Sequence, residues 1–360
     1  MNKKVLITGG AGFIGSHTVE EFLANDYQVT VLDNLRTGDI ENIRHVLPHI
    51  TFVEGDILDA EILRKHIDGE TRIVNLAALI SVPESVDKPT LAHQINVSGA
   101  ELVMSIAREK NAVCFVSASS AAVYGNNAEM PLTEESKTVP ISPYGLHKYV
   151  NELYGRTYSN LYNFPSVFLR FFNVFGPRQK FQGGYASVIP AFINKILTNE
   201  PATIFGSGEI VRDYVYVKDI ARAIRAAVEH AEEQGGRGNM EGVKSVIRAS
   251  TENTVDGSTV GMDDCTAKDI ENASGTQFGR KYFNVFNIAT GASTTLDQLW
   301  NTMCKIKGLD MKPAYGPTRT GDVFACYATG EKARNVLNFE TKTSLEEGLR
   351  ELFDSIEPQR

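Results

Sequence analysis

Short runs of consecutive apolar residues alternate with longer segments of helical period through the first half of the chain. The runs fall at residues 5–8, 28–33, 51–56, 72–78, 112–117 and 166–172. Each is rich in Val, Ile, Leu and Phe on neighbouring positions, the pattern of strands buried on both faces. Between them, residues 13–25, 91–109 and 144–161 have the length and spacing of amphipathic helices. Strand–helix–strand repetition predicts right-handed crossovers, and so an α/β fold built on a doubly wound parallel sheet.

Past Gly176-Pro177 the regularity falls. Residues 189–197, 296–307 and 344–356 read as amphipathic helices separated by loops with Pro and Gly, which predicts a smaller mixed α/β C-terminal domain. The expected division is 1–176 for the sheet domain and 177–360 for the second domain. Residues 213–230 read as a further strand and helix of the large sheet, and residues 283–291 also return to it. Residues 231–281 are dominated by Gly, Asn, Ser, Thr and acidic residues with no sustained apolar period. They predict a polar surface insertion, either decorative or serving as a lid or oligomer contact.

A length of 360 residues suits two domains, and 42% hydrophobic with 22% charged residues excludes wholesale disorder, collagen and coiled coil. The 36 Lys and Arg against 44 Asp and Glu leave a net charge of −8, which repels a nucleic-acid duplex or an anionic membrane. Neither is expected as a partner. Cys114, Cys265, Cys304 and Cys326 lie far apart with no CxxC, so neither a disulfide framework nor a metal is expected. No stretch approaches the ~20 apolar residues of a membrane span, and the apolar run at the N-terminus is too short for a signal peptide. The expectation is a soluble, cytoplasmic protein.

Gly9-Gly10-Ala11-Gly12-Phe13-Ile14-Gly15 follows the first strand and opens the first helix. Glycines at 9, 12 and 15 permit a tight turn, close approach of backbone to a pyrophosphate, and close helix–sheet packing. Asp33 ends the second strand at about the ~20-residue offset of a ribose-binding carboxylate, with Asn34 beside it. A carboxylate there accepts from both ribose hydroxyls and repels a 2′-phosphate, which favours NAD over NADP. Asp56-Ile57 can flank the adenine, although a helix N-cap is an alternative for Asp56. Ala77 and Ala78 are small where a cofactor would lie close.

Tyr144-Gly145-Leu146-His147-Lys148 places a phenol and an ammonium on one helix face. A tyrosine of ordinary pKa, about 10, is a poor base at neutral pH. A nearby Lys and a positive nicotinamide both favour phenolate. Ser119-Ser120, after the preceding strand, can reach the same pocket, and a serine there can relay the proton of a reacting alcohol. His147 lies on another face and reads as structural or exposed.

These motifs, together with Ser119-Ser120-Ala121-Ala122-Val123-Tyr124-Gly125 and Arg170-Phe171-Phe172-Asn173-Val174-Phe175-Gly176-Pro177-Arg178, resemble the extended short-chain dehydrogenase/reductase family. More closely, they resemble its UDP-sugar 4-epimerases. The resemblance implies a Rossmann-type domain with tightly held NAD, contacted by Phe13, Ile14, Asn96 and Phe172 as well as the residues above. It implies that Tyr144 takes the proton of the sugar O4 as hydride leaves C4, that Lys148 holds the nicotinamide ribose, and that Ser120 bridges Tyr144 and O4. The 4-keto sugar would turn over about its phosphate linkage before hydride returns to the other face. A homodimer through helices 91–109 and 144–161 is also implied.

Related dehydratases carry Asp-Glu, and decarboxylases Glu, where this chain has Ala121-Ala122. Alanine transfers no proton, so epimerisation is favoured. The same resemblance assigns the UDP-sugar to Asn173, Arg178, Val188, Thr203, Phe205, Arg212, Arg319 and Asp322, with Arg212 and Arg319 on the diphosphate and Asp322 on the uridine ribose. Enzymes restricted to UDP-glucose and UDP-galactose often have Tyr at the position of Cys326 and Lys at that of Ile80. Cys326 would leave room for an N-acetyl group, and Ser81 resembles a sugar-contacting serine. These features favour UDP-GlcNAc/UDP-GalNAc, with UDP-Glc/UDP-Gal as further candidates. A UDP-glucuronate or UDP-pentose epimerase, a sugar-nucleotide reductase with exchangeable cofactor, and an NAD-sensing scaffold are the alternatives.

Overall fold

The computed structural model describes residues 3–180, 187–235, 282–317 and 325–356. Most of the polar insertion expected at 231–281, including Cys265, lies outside them, as do Arg319 and Asp322. The first half runs β1 (Lys4–Thr8), α1 (Phe13–Leu23), β2 (Gln28–Asp33), β3 (Thr51–Glu54), α2 (Ala60–His66), β4 (Thr71–Asn75), α3 (Val82–Asp87), α4 (Pro89–His93) and α5 (Ala100–Glu109). It continues through β5 (Cys114–Ser120), α6 (Pro143–Tyr162), β6 (Ser166–Phe171) and β7 (Asn173–Phe175). Then follow α7 (Val188–Leu197), β8 (Thr203–Phe205), β9 (Val211–Arg212), β10 (Tyr214–Tyr216), α8 (Val217–Gln234) and β11 (Phe283–Ile288). The described chain closes with β12 (Thr294–Thr295), α9 (Leu296–Ile306), β13 (Ala314–Gly316), β14 (Ala325–Cys326), α10 (Glu331–Leu337) and α11 (Leu345–Ile356). Among the described residues, no helix is long and apolar enough to cross a membrane.

The large sheet has seven strands in the order β11-β6-β5-β4-β1-β2-β3, all parallel. Alternation along each strand divides its side chains between two cores. Val5, Ile7, Val31 and Val116 face one layer with α1 and α8, while Leu6, Leu32, Ile73 and Phe115 face the other with α2, α5 and α6. Chain order reverses between β1 and β4. Such a reversal opens a crevice at the carboxyl ends of the strands, where ligands of this architecture bind.

Residues 91–109 do not form one regular helix. A widened, π-helical turn over Gln94–Gly99 joins α4 to α5 and turns Asn96 inward. The strand expected near 213–230 is likewise not in the large sheet. After Phe171 the chain leaves that sheet, because both the backbone N–H and the side-chain amide of Asn173 donate to the Asp213 carbonyl at 3.0 Å. β7 and β10 therefore form a separate parallel pair, and only α8 packs on the large sheet. A second apolar cluster, built on Phe192, Trp300, Tyr216, Leu349 and Phe353, fills the C-terminal part, with Trp300 Nε1 donating to the Met311 carbonyl at 2.8 Å.

His17 ties α1 to the segment that leads into this second cluster. Its Nε2–H donates to the Pro177 carbonyl at 3.0 Å, and burial pushes its pKa from 6.5 down to about 4. The folded protein thus keeps this imidazole neutral where the unfolded chain protonates it, so stability falls as pH drops below about 6.5. His17→Gln keeps a donor without a titrating ring. Its loss of stability between pH 7 and pH 5, measured by urea unfolding, is expected to be smaller than the parent's by about 1–2 kcal/mol.

Candidate active site

The turn after β1 bends at Gly9, whose φ of +71° lies in the left-handed region open to glycine. At Gly15 a Cβ would lie 2.0 Å from the Gly9 carbonyl oxygen, so only glycine lets α1 start this close to the strand. Gly12 is the N-cap of α1 and no side chain caps it. The orphan N–H groups of the first turn and the positive end of the helix dipole are left for an anion. Phe13 and Ile14, the next residues, are half-buried and pack on the second apolar cluster.

Asp33 is buried, and each of its carboxylate oxygens accepts one backbone N–H at 2.9 Å, from Ala11 and from Leu35. Burial raises its pKa, and the two amides offset part of that shift. Both oxygens keep lone pairs for hydroxyl donors. Asn34 Nδ2 donates to Asp56 at 2.7 Å, while Asp56 also accepts from the Leu58 N–H. The helix-cap alternative for Asp56 does not hold, because Asp59 caps α2. Ile57 is buried beside this bracket. Ala77 and Ala78 follow β4, with the Ala77 N–H donating to Thr8 Oγ1 at 3.2 Å. This cradle of glycine backbone, helix terminus, buried carboxylate and small side chains fits a dinucleotide whose ribose carries free hydroxyls.

β5 and α6 carry Ser120, Tyr144 and Lys148. Ser142 caps α6 and Pro143 occupies its first turn, so Tyr144 and Lys148 sit one turn apart near the helix start. The ammonium of Lys148 donates to the Ala118 carbonyl of β5 at 2.8 Å and lies 5.8 Å from the Tyr144 ring centroid. Ser120 Oγ accepts the Ala122 N–H at 3.1 Å, which leaves its own hydrogen to donate to Tyr144. Ser120, Tyr144 and Lys148 are therefore together at the carboxyl end of the sheet.

The electrostatics differ from the expectation. Burial raises the Tyr144 pKa, and the Ser120 hydrogen bond offsets part of this. Burial also pushes the Lys148 ammonium down to about 8. Lys148 is directed at the Ala118 carbonyl rather than at the phenol oxygen, so the protein's own groups do not make Tyr144 acidic.

Other candidates take different places. Ser119 faces the α6 side of the sheet, where its hydroxyl donates to Glu152 at 2.5 Å, so it is not available to a substrate. Alternation along β5 explains this, because Ser119 shares its parity with Phe115 and Ser117 while Ser120 has the opposite one. Asn96 is 2% exposed and spends both side-chain atoms on Leu79, accepting its N–H at 2.7 Å and donating to its carbonyl at 2.9 Å. It shapes the loop over residues 79–81 rather than offering a free amide. His147 is buried edge-on against His93, with ring centroids 5.6 Å apart, in keeping with a structural role. Phe172 is buried, its ring tilted against Tyr124.

Towards the second domain, the side-chain amide of Asn173 is engaged with Asp213 as described. Arg178 adopts a left-handed backbone and its guanidinium pairs with Glu20 on α1, so it is committed to an ion pair rather than left free for a substrate. Ser81 caps α3 by accepting the Glu84 N–H at 3.1 Å, and Ile80 beside it is exposed. Val188 begins α7, and Thr203 and Phe205 lie on β8, paired with β13. Arg212 on β9 is the direct register partner of Cys326 on β14. Burial raises the Cys326 thiol to about 11, so this side chain is a small neutral group rather than a nucleophile. Sequence reasoning missed the buried Glu152–Arg170 pair, with oxygen–nitrogen distances of 2.9 and 2.7 Å. Its signal was present, because Glu152 repeats the four-residue step from Tyr144 through Lys148.

A family model described as NAD dependent epimerase/dehydratase matches residues 5–240. The UDP-glucose 4-epimerase of Mycolicibacterium smegmatis is 30% identical over 350 residues, spanning 96% of each chain. The solved UDP-N-acetylglucosamine 4-epimerase of Methanobrevibacter ruminantium, in complex with UDP-N-acetylmuramic acid, shares 32% identity at a TM-score of 0.80, covering 99% of this chain and 98% of that one. For the Thermotoga maritima UDP-glucose 4-epimerase with UDP-glucose the values are 33% and 0.78, with 98% of each chain covered. Sequence and structure comparisons agree along the length of the molecule: the chain belongs to the NAD dependent epimerase/dehydratase family.

Proposed function

We propose that this protein inverts C4 of a UDP-linked sugar with NAD, acting on UDP-GlcNAc/UDP-GalNAc. The observation that carries the C4 inversion is the makeup of the proton-handling site. Ser120 and Tyr144 stand together, while the next two positions, the turn capped by Ser120 itself, are Ala121 and Ala122. A site built this way can take one proton from a hydroxyl and give it back, but it has no adjacent group to eliminate water.

Bound NAD supplies the reversible hydride exchange at C4, and its positive nicotinamide favours the phenolate that the protein alone disfavours. Tyr144 accepts the O4 proton and later returns it. Ser120, with its oxygen held by the Ala122 N–H, presents its hydrogen to Tyr144 and shares O4 between them. Lys148 is fixed by the Ala118 carbonyl, which leaves its remaining N–H groups to hold the nicotinamide ribose. Asp33 takes the adenosine ribose hydroxyls.

The N-acetyl preference rests on Cys326 and Ser81. A neutral thiol next to Arg212 leaves volume that a tyrosine would fill, and Ser81 adds a hydroxyl on the loop over residues 79–81. Arg212, together with Arg319 and Asp322 from outside the described residues, is assigned to the diphosphate and uridine ribose; Asn173, Val188, Thr203 and Phe205 line the uridine side. The relatives named for UDP-glucose and for UDP-N-acetylglucosamine match this chain at nearly equal identity, so the pocket residues decide the reading. A homodimer is part of the proposal. It is supported by the exposed Leu146, Leu153, Tyr154, Leu161 and Tyr162 repeating along α6. Free thiols at Cys114, Cys304 and Cys326 suit a cytoplasmic enzyme.

Coupled assays should detect C4 inversion of UDP-GlcNAc by purified protein without added NAD and without stoichiometric absorbance change. Failure to turn over any UDP-hexose, with bound NAD confirmed by mass spectrometry, would reject the assignment. Tyr144→Phe is expected to lower kcat by about 10²–10⁴-fold with NAD still bound. Cys326→Tyr should suppress the N-acetyl sugars and spare UDP-galactose; equal loss on both removes Cys326 as the selector. Light scattering should give twice the 39.6 kDa chain mass, and Leu153→Lys with Leu161→Lys should return it to the single-chain value.

A further inference from the structure

The buried polar side chains behind the site form one connected chain. Glu152 lies on the same stripe of α6 as Tyr144 and Lys148, two turns past the first and one past the second. Its carboxylate accepts Ser119 Oγ at 2.5 Å, Arg170 Nε at 2.9 Å and Arg170 Nη2 at 2.7 Å. Arg170 comes from β6, and its third nitrogen donates to the Tyr124 hydroxyl at 2.8 Å, with the guanidinium 4.7 Å from the Tyr124 ring centroid. The Tyr124 hydroxyl in turn donates to Asn287 Oδ1 at 2.6 Å on β11. Three parallel strands, one helix and the turn after Ser120 are thereby joined.

A buried ion pair adds little net stability relative to apolar residues of the same volume, so stability alone does not account for it. Its geometry does. α6 grips β5 at two successive residues, Lys148 on the Ala118 carbonyl and Glu152 on the Ser119 hydroxyl, and the residue after these is Ser120.

We propose that Glu152, held by Arg170, is a positioning residue: through Ser119 it fixes the end of β5 so that Ser120 stays within hydrogen-bond reach of Tyr144. This rests on the reading of Ser120 and Tyr144 as the proton-handling pair. Arg170 from β6 is the only charged group bonded to Glu152 among the described residues. Burial lowers the guanidinium pKa, and the hydrogen bonds and charge of Glu152 more than offset this, so the guanidinium stays charged. From the turn after β5, burial holds the Tyr124 phenol up at about 12 and therefore neutral. Further out, the Glu134 carboxylate accepts the Asn287 N–H at 2.7 Å, and Lys332 donates to the Val285 carbonyl at 2.9 Å.

The test compares Ser119→Ala, Ser119→Thr and Glu152→Gln with the parent, each with NAD bound. Tyr144 ionisation is read as the phenolate absorbance difference against Tyr144→Phe, alongside kcat, KM and thermal midpoint. Ser119→Ala should lower kcat about tenfold, leave KM within about twofold, and raise the Tyr144 titration midpoint by about half a pH unit or more. Ser119→Thr keeps the hydroxyl and should stay closer to the parent in both. Glu152→Gln should move both in the direction of Ser119→Ala; where it does not fold, the Ser119 variants decide alone. An unmoved Tyr144 midpoint in Ser119→Ala overturns the proposal, even if turnover falls, because a merely structural role predicts that result. A parent inactive on every UDP-sugar sinks the C4 reading instead, and the Tyr144 titration still decides the positioning role.

Discussion

The contact on which the site depends is the hydrogen bond from a buried lysine to a strand carbonyl. Lys148 gives up solvation to reach the Ala118 oxygen, and burial draws its pKa down to about 8 in consequence. In return, the helix that carries Tyr144 is fixed to the strand that carries Ser120. An acid–base pair works only over hydrogen-bond distances, so two residues 24 positions apart in sequence need such a cross-link. The neighbouring Glu152–Ser119 bond adds a second point of attachment one residue further along.

The same economy governs the cofactor side. β1, α1 and the end of β4 converge where chain order in the sheet reverses, and glycine at positions 9 and 15 lets backbone meet backbone there. His17, two residues beyond Gly15, carries this rigidity across to Pro177, the entry to the second apolar cluster. The glycine turn and the segment leading to the second apolar cluster are thus parts of one packed unit, not two bodies joined by a loose linker.

Much of this was legible in the residues themselves. Strands buried on both faces appear as apolar runs, and six of the seven large-sheet strands stand out that way; the helices at 13–23 and 143–162 show their period. The glycine turn, Asp33, and the Ser120–Tyr144–Lys148 group are readable because each chemistry demands particular residue types at fixed spacing. What was not legible depends on side-chain direction and tertiary competition. Ser119 and Ser120 are indistinguishable until strand parity sends one to Glu152 and the other to Tyr144. Arg178 reads as a substrate-binding residue until Glu20, from a helix 158 residues earlier, takes its guanidinium. Asn173 pulling β7 out of the large sheet could not be foreseen either, because nothing local to residues 213–230 announces which partner strand they find.

The widened turn at Gln94–Gly99 has an effect at some distance from itself. By rotating Asn96 onto both backbone groups of Leu79, it makes the stretch ahead of α3 a rigid panel instead of a flap. Any group that docks beside residues 79–81 meets backbone already held in place by a buried amide, and has to adapt to that surface rather than reshape it.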